Sequence, residues 1–210
     1  MLWSFFRKKL DSIFNNKENG VFIELGANYG ITESNTAFFE KYRKWKGILV
    51  EPSLKGYNKC KLYRPNSLCF NFACVSNDFK EEFIYGDFQD NHPMASVNGK
   101  RLNRSILTKV KTSTLEKNID SCDFKEIHLL SLDTGGYELN ILKGINLDKY
   151  RPKYMLIEIY TKDYNDIIDF LNNNKYKLIS NFTNYNNLLC PNWDGTHNDY
   201  LFIDSFNKYK

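Results

Sequence analysis

The chain has 210 residues, a length that suits one α/β domain with a full hydrophobic core. Hydrophobic residues make up 42% of the chain. Its five cysteines include no Cys-x-x-Cys pair, so neither a disulfide framework nor a zinc site is supported. Reduced thiols in the cytoplasm are therefore expected. The formal net charge of +4 allows an anionic substrate but does not indicate a nucleic-acid partner.

Residues 1–19 are predicted to form an N-terminal amphipathic helix. Its apolar positions recur with helical spacing at Trp3, Phe6, Leu10, Ile13 and Phe14, with basic residues between them. This run is too short for a signal peptide or a membrane span. We expect the helix to pack over the sheet or against a second subunit of a homodimer, and peripheral membrane contact is the alternative.

The next stretch, Val21–Gly30, organises the chain. An apolar run that ends at a glycine is typical of a buried strand that enters a tight turn. A helix over Ser34–Lys44 follows, with Thr32 or Ser34 as its cap. Strand, glycine turn and helix together indicate the entry to a nucleotide-type site in an open α/β sheet.

The residues of this turn favour one kind of ligand. The dinucleotide fingerprint G-x-G-x-x-G has a glycine where this chain has Asn28, so a pyrophosphate is disfavoured. Acids stand instead at the ends of two strands, as Glu24 and as Glu51 after the run Gly47–Val50. Two acids without a phosphate cradle fit S-adenosylmethionine, with Glu51 accepting from the ribose hydroxyls. An ordinary βαβ unit with Glu51 on the surface is the alternative.

The rest of the chain alternates strand-like and helix-like patterns. The predicted strands are Ile48–Glu51, one within Ser67–Val75, Glu82–Tyr85 paired with Ile106–Lys111, Ile127–Leu132, Tyr154–Ile159, and a final antiparallel pair of Tyr176–Ser180 with Tyr200–Ile203. The predicted helices are Lys55–Tyr63, Thr114–Ile119 capped by Thr112 or Ser113, Tyr137–Lys143 and Tyr164–Asn173. This alternation predicts a mostly parallel sheet with helices on both faces, and residues 20–210 form a single domain because no linker divides them.

The acids and histidines near the carboxyl edge of the predicted sheet are the catalytic candidates, because ligands bind at that edge in open α/β sheets. Asp133 follows the fourth strand and Glu158 lies late in the fifth, at the carboxyl edge where such sites occur. His197 precedes the last strand, and His92 lies in a loose loop, so either can contribute a base near neutral pH. His128, inside an apolar strand, is expected to be a core residue.

A divalent metal is left open by the sequence. Asp133, Glu158 and Asp199 carry the hard oxygen ligands that magnesium or calcium takes, but their spacing does not place them within reach of one ion. Cys74, after the third strand, is expected to pack beside the adenine.

Several of these segments together resemble the FkbM-type methyltransferases. The similar segments, in the family's order and spacing, are Glu24–Gly30, Ser34–Thr36, Trp45–Ile48, Val50–Pro52, Ser131–Leu139, Ile141–Gly144, Tyr150–Pro152 and Ile157–Glu158. The resemblance implies a Rossmann-like class I fold with a seven-stranded sheet and an antiparallel last strand. It also implies methylation of hydroxyl groups, often on sugars. The expected cofactor-binding residues are Glu24, Gly26, Ala27, Asn28, Gly30, Ser34, Asn35, Glu51, Pro52, Cys74 and Asp133.

One segment departs from the family. An acid usually precedes the glycine that here is Gly136, and this chain has Gly135 in its place. Glu138 keeps its family position. The change can mean a different substrate, a rearranged turn or lost activity.

The expected function is methyl transfer from S-adenosylmethionine to a sugar hydroxyl on a nucleotide-linked sugar or glycan precursor of surface polysaccharide. Basic residues at Arg101, Arg104, Lys109 and Lys111 suit an anionic carrier or are only a solvated face. The alternatives are a nucleic-acid or protein acceptor, or a cofactor-binding protein with impaired catalysis.

Overall fold

The structure, a computed structural model, describes residues 2–90, 92, 94–99, 101–186, 188, 190–191 and 193–206, with side chains from residue 6 onward. The strands in this part of the chain are β1 (Val21–Leu25), β2 (Lys46–Val50), β3 (Ser67–Phe70), β4 (Ala73–Cys74), β5 (Phe83–Gly86), β6 (Thr108–Ser113), β7 (Leu129–Leu132), β8 (Tyr154–Tyr160), β9 (Tyr176–Asn181) and β10 (His197–Asp204). The α-helices are α1 (Leu2–Ile13), α2 (Ala37–Arg43), α3 (Leu54–Tyr63), α4 (Leu115–Asp120), α5 (Glu138–Leu142) and α6 (Tyr164–Asn173).

Seven strands form the main sheet, in the order β3-β2-β1-β7-β8-β10-β9. The pairs from β3 to β8 are parallel, and β10 is antiparallel to both β8 and β9. This arrangement confirms the predicted fold class, including the antiparallel last strand. The order reverses at β1, so the carboxyl ends of β1 and β7 border the crevice where ligands bind in such sheets.

Two hydrophobic clusters cover the faces of this sheet because side chains alternate along each strand. Ile23 and Leu25 of β1 join the cluster that includes residues of α4, α5 and α6. Phe22, on the other face, joins the cluster that includes residues of α1, α2 and α3. Helices therefore cover both faces, as predicted.

The first helix packs on the domain itself. The ring of Phe6 lies 6.0 Å from the rings of both Phe182 and Tyr185, and Asp11 pairs with Arg43 of α2 at 2.5 Å. Trp3, the first predicted apolar position of this helix, lies outside the residues whose side chains are described. Among the described residues, no helix is long and apolar enough to cross a membrane. Homodimer formation and membrane contact stay predictions.

The predicted strand within Ser67–Val75 is instead two strands in different sheets. The side-chain amide of Asn71 donates to the carbonyl oxygens of Glu51 and Pro52, both at 2.9 Å, and the chain leaves the main sheet there. The second segment, β4, pairs with β6, which also pairs with β5 as predicted.

Of the two predicted helix caps, the one at α4 is wrong, and at α2 the predicted Ser34 supplies the capping side chain. Thr114, not Thr112 or Ser113, caps α4, because its side chain accepts from the backbone N–H of Lys117. At α2 the hydroxyl of Ser34 accepts from the backbone N–H of Ala37 at 3.0 Å. Ser34 thus satisfies one of the free amides at the start of that helix.

Candidate active site

A cavity of about 240 Å³ lies at the carboxyl ends of β1, β2, β7 and β8. The loop after β5 and the start of β10 complete its wall. Nine of the predicted site residues line it: Gly26, Asn28, Glu51, Pro52, Cys74, His92, Asp133, Glu158 and His197. The sheet therefore brings both sets of candidates, cofactor-binding and catalytic, to one place.

The turn after β1 depends on a glycine. Gly26 has φ +78, and a Cβ there would lie 1.7 Å from the carbonyl oxygen of Asp133. No other residue fits this contact, which brings the ends of β1 and β7 together. Asn28 follows with φ +51, a left-handed conformation that asparagine tolerates better than most residues.

Glu51 lies at the end of β2 and is 7% exposed. Its Oε2 accepts from the backbone N–H of Asn28 at 2.8 Å, and its Oε1 accepts from that of Ser53 at 2.8 Å. Burial raises the pKa of Glu51 to about 7, although both amide donors oppose the increase. Each oxygen keeps a lone pair, so the carboxylate can accept further hydrogen bonds from a ligand in the cavity.

This contact bears on which ligand fits. In a dinucleotide-binding fold, the backbone of the turn approaches a pyrophosphate. Here the amide of Asn28 already faces a carboxylate, and an anionic phosphate beside ionised Glu51 would be repelled. The cavity wall therefore fits a ligand that offers hydroxyl groups and positive charge.

Glu24 occupies a different place from Glu51. It is 3% exposed, and its oxygens accept from the Ser34 hydroxyl and from the backbone N–H of Asn35, both at 2.7 Å. Nη1 of Arg64 lies 3.7 Å from its Oε2. The described contacts of Glu24 are with the segment before α2 and with Arg64, and contact between Glu24 and the cofactor stays a prediction. Glu24 holds the chain between β1 and α2.

Five predicted cofactor residues lie outside the cavity lining among the described residues: Glu24, Ala27, Gly30, Ser34 and Asn35. Asn35 bridges strands instead, because its side-chain amide donates to the Ser131 hydroxyl at 3.1 Å. Gly30 has φ +76, and its carbonyl accepts from Arg64 at 2.9 Å. Cofactor contact by these five stays a prediction, and the observed contacts give them a supporting role.

The other end of the cavity holds a cluster of carboxyl groups. Asp199 of β10 pairs in register with Glu158 of β8, and Asp133 follows β7, the next strand in the sheet. Burial raises the pKa of all three carboxyl groups, and that of Asp199 is about 7. The charge of Asp133 also contributes to the increase at Glu158 and at Asp199. These carboxyl groups therefore hold their protons to a higher pH than isolated carboxyl groups do.

Arg101 and His197 complete the cluster. Arg101 places Nη2 3.7 Å from Oε1 of Glu158, and Nε2 of His197 lies 3.4 Å from the same oxygen. Burial, and then the Arg101 cation, lower the pKa of His197. Its imidazole is therefore neutral at pH 7 and can accept a proton.

The described residues do not form a metal site. No group of three or more His, Cys, Asp and Glu side chains among them is arranged to hold an ion. The three acids considered as ligands are instead arranged as a cluster beside Arg101, in which Glu158 is buried and Asp133 and Asp199 are half-buried.

His92 also lines the cavity, from the loop between β5 and β6. It is exposed, and its Nδ1 accepts from the backbone N–H of Met94 at 3.1 Å. Its neighbours Asn91 and Pro93 lie outside the described residues. His128 is a core residue as expected, because it is 5% exposed and its Nδ1 accepts from the N–H of Val21 at 3.1 Å.

The unusual Gly135 has a steric explanation. It has φ +67, and a Cβ there would lie 2.9 Å from the carbonyl oxygen of Ala95, in the loop that covers the cavity. Glu138 holds the same turn, since Oε1 accepts from the backbone N–H and the hydroxyl of Thr134, both at 2.9 Å. Of the three interpretations of Gly135, this geometry favours a rearranged turn.

The predicted basic cluster is not a single surface. Arg101 lines the cavity, and Arg104 pairs with Asp90 at 2.8 Å. Lys109 lies 3.9 Å from the centre of the Phe83 ring, and Lys111 is exposed on the same strand. Binding of an anionic carrier by these four residues together stays a prediction.

Sequence reasoning missed several residues of the site. Glu33 and Tyr185 line the cavity, and Tyr160 packs beside it, with its ring 5.3 Å from that of His197. Tyr160 could have been found, because it stands two residues after Glu158 on one strand and therefore shares its face. Arg101, in a long loop, gave no such signal.

The sheet order, the antiparallel last strand and a cavity at the carboxyl ends of the strands define a class I, Rossmann-like methyltransferase, and solved structures share this fold. A precorrin-6y C5,15-methyltransferase from Geobacter metallireducens GS-15 aligns with a TM-score of 0.51 at 9% identity, covering 96% of this chain and 87% of that one. A methyltransferase FkbM from Methylobacillus flagellatus KT aligns with a TM-score of 0.52 at 12% identity, covering 88% of this chain and 43% of that longer chain. A search of curated protein sequences gave no match.

The family follows from the sequence match. The model of the methyltransferase FkbM domain matches residues 24–178, which is most of this chain. The chain belongs to the FkbM methyltransferase family, and its cofactor is S-adenosylmethionine. This confirms the resemblance drawn from the segments between Glu24 and Glu158.

Proposed function

We propose that this protein transfers the methyl group of S-adenosylmethionine to a sugar hydroxyl, on a nucleotide-linked sugar or a glycan precursor of surface polysaccharide. The observation that carries the proposal is the neutral His197 beside the buried carboxyl group of Glu158, at a separation of 3.4 Å. A hydroxyl acceptor needs a base of this kind, because the oxygen is a weak nucleophile until its proton is being removed.

The cofactor, when bound, supplies an electrophilic methyl group on a positively charged sulfur. Glu51 would hold the ribose hydroxyls, since its carboxylate faces the cavity with free lone pairs. Pro52, Phe72 and Cys74 line the same wall and offer the apolar surface that an adenine ring requires. The excess of acids favours a cationic ligand over a dinucleotide.

The acceptor side rests on two groups. His197 takes the proton of the hydroxyl at Nε2, and the imidazolium that forms is stabilised by Asp194, whose Oδ1 lies 3.4 Å from Nδ1. Asp133, between the cofactor wall and Glu158, orients the hydroxyl or accepts the proton itself. Correct alignment of oxygen, methyl and sulfur contributes much of the rate in such a displacement.

The alternatives receive less support from the geometry. Among the described residues of the expected basic cluster, Arg101 lines the cavity and Arg104 pairs with Asp90, which does not favour a surface for nucleic acid. Impaired catalysis was suggested by the glycine at position 135. A Cβ there would lie 2.9 Å from the carbonyl oxygen of Ala95, so the glycine is explained by steric fit without a loss of activity. The five cysteines are free thiols, which favours the cytoplasm as the location.

The test is methyl transfer from radiolabelled S-adenosylmethionine to a panel of nucleotide sugars, oligonucleotides and a protein extract. We expect label on a sugar hydroxyl and loss of that label in the His197→Gln variant. Label on an oligonucleotide or protein alone would reject the sugar acceptor. Cofactor binding without label on any acceptor would favour the impaired protein.

A further inference from the structure

A second hollow, of about 480 Å³, adjoins the cofactor cavity. Arg101 and Met94 line both spaces, and Tyr160 lines only the second. The two spaces therefore meet at Arg101, close to Glu158 and His197. A substrate in the second hollow would approach the methyl group at this junction.

Three buried polar atoms at the junction lack a hydrogen-bond partner among the described residues. They are Nε of Arg101, Oε2 of Glu158 and the hydroxyl of Tyr160. Glu158 is only 5% exposed, and a buried polar group without a hydrogen-bond partner is unfavourable. Because the carboxyl group of Glu158 also shares a hydrogen bond with Asp133, Nε of Arg101 and the hydroxyl of Tyr160 are the atoms that most clearly need a ligand to provide their hydrogen bonds.

We infer that Arg101, Glu158 and Tyr160 form the acceptor subsite and that it binds a neutral sugar ring with two neighbouring hydroxyls. The inference rests on the proposed function and deepens it. Each hydroxyl of such a ring both donates and accepts, so two of them match the mixed donors and acceptors of the three side chains.

The charges at the junction favour a neutral ring over an acidic one. At the junction Arg101 faces the carboxyl groups of Asp133 and Glu158. The second hollow is also lined by Lys162 and Asp194, which are exposed and of opposite charge. A carboxylate on the sugar would add a further negative charge close to these acids. The guanidinium also lies 5.2 Å above the Tyr160 ring, which fixes its plane. Any diphosphate of the carrier must therefore extend away from this junction.

The test measures sugar binding without turnover. Saturation-transfer NMR is recorded on the protein loaded with S-adenosylhomocysteine, with methyl glycosides of glucose, galactose and mannose and with the matching methyl glycuronides. We expect saturation of at least one neutral glycoside and at least tenfold weaker binding of its uronate. Tyr160→Phe, which removes only the hydroxyl, should weaken binding of that glycoside about tenfold and leave the affinity for S-adenosylhomocysteine unchanged.

The control is Tyr42→Phe, because Tyr42 is 56% exposed on α2. The inference is overturned if no glycoside is saturated, if the uronate binds as tightly, or if Tyr160→Phe binds the glycoside like the parent protein. Because the assay needs no methyl transfer, a protein that binds glycosides as expected but methylates none would reject the proposed function and keep this subsite. A protein that methylates sugars with no loss in Tyr160→Phe would reject only the subsite.

Discussion

The backbone N–H of Asn28 donates to Oε2 of Glu51 at 2.8 Å, across the turn that links β1 to the cofactor cavity. The contact fixes a carboxylate where dinucleotide-binding proteins present bare amides to a pyrophosphate. It also joins the two strand ends that form the cofactor wall. Because the amide of Asn28 is already bound to a carboxylate, we expect the site to bind a methyl donor that has no phosphate.

Replacement of Glu51 by Gln should weaken cofactor binding. The loss of a charge-assisted acceptor for the ribose hydroxyls predicts a decrease of about 1–3 kcal/mol, which is roughly 5- to 150-fold in the dissociation constant. Calorimetric titration with S-adenosylhomocysteine measures it. Glu18→Gln, at an exposed pair with Lys44, is the matched control. Equal affinity in all three proteins would remove Glu51 from the site.

The stability of the free protein should decrease as pH rises. The folded-state pKa of Glu51 and of Asp199 is about 7, above the ordinary values of 4.5 and 3.8, so each group binds its proton more tightly in the folded state. The free energy of unfolding should therefore decrease between about pH 4 and pH 8, by roughly 1–3 kcal/mol for each group. Urea unfolding at pH 5 and pH 8 measures this.

The same experiment on variants assigns the effect. The decrease from pH 5 to pH 8 should be smaller in Glu51→Gln and in Asp199→Asn than in the parent protein. A stability that rises over this range, or a decrease that neither variant reduces, would contradict the buried, raised-pKa environment of these carboxyl groups.

His197→Gln should lower kcat with an acceptor by on the order of 100-fold or more, because the hydroxyl loses its base. The affinity for S-adenosylhomocysteine should not change. Asp133→Asn is measured in parallel. A full rate in His197→Gln together with a large loss in Asp133→Asn would transfer the role of base to Asp133.

Gly135→Ala should destabilise the protein more than Gly195→Ala. Both glycines have positive φ, at +67 and +77, but an added Cβ meets the carbonyl oxygen of Ala95 only at Gly135. Strain from φ alone is about 1–2 kcal/mol at either site, so the difference in unfolding free energy reports the contact with the loop. An equal decrease in unfolding free energy in the two variants would mean that this contact does not affect stability.

Glu24→Gln should affect stability more than Glu51→Gln does. Glu24 is buried and accepts hydrogen bonds from Ser34, Asn35 and Thr36, whereas Arg64 keeps its ion pair with Glu40 at 2.6 Å. Loss of the Glu24 charge therefore weakens these hydrogen bonds and should be unfavourable by about 1–3 kcal/mol. Thermal unfolding near pH 7 compares the two variants. If Glu24→Gln folds with parental stability and yet fails to bind S-adenosylhomocysteine, Glu24 contacts the cofactor after all.

The strands and helices were predictable where local pattern determines them. Val21–Leu25 and Tyr164–Asn173 have the predicted bounds, because an apolar run between glycines and an amphipathic repeat are local signals. Only two residues long, β4 has no such pattern. Its pairing with β6 depends on Asn71, whose partners are two carbonyls about 20 residues earlier.

The site was predictable in part for a similar reason. Strand order places Glu51, Asp133 and Glu158 at one edge, so their convergence follows from topology. The direction of Glu24 follows from alternation, since it shares a face with Phe22 and thus with α2. Its partner Arg64 is 40 residues away, and Arg101 reaches the cavity from a long loop. Contacts of this kind depend on tertiary packing and cannot be predicted from a local sequence pattern.

The most direct test of the account is a calorimetric titration of the protein with S-adenosylhomocysteine and, separately, with NAD⁺. The account predicts one molar equivalent of S-adenosylhomocysteine bound, with an affinity that increases from pH 6 to pH 8 as Glu51 ionises, and no binding of NAD⁺. Binding of NAD⁺ in competition with S-adenosylhomocysteine, or no binding of S-adenosylhomocysteine at any pH in this range, would contradict it.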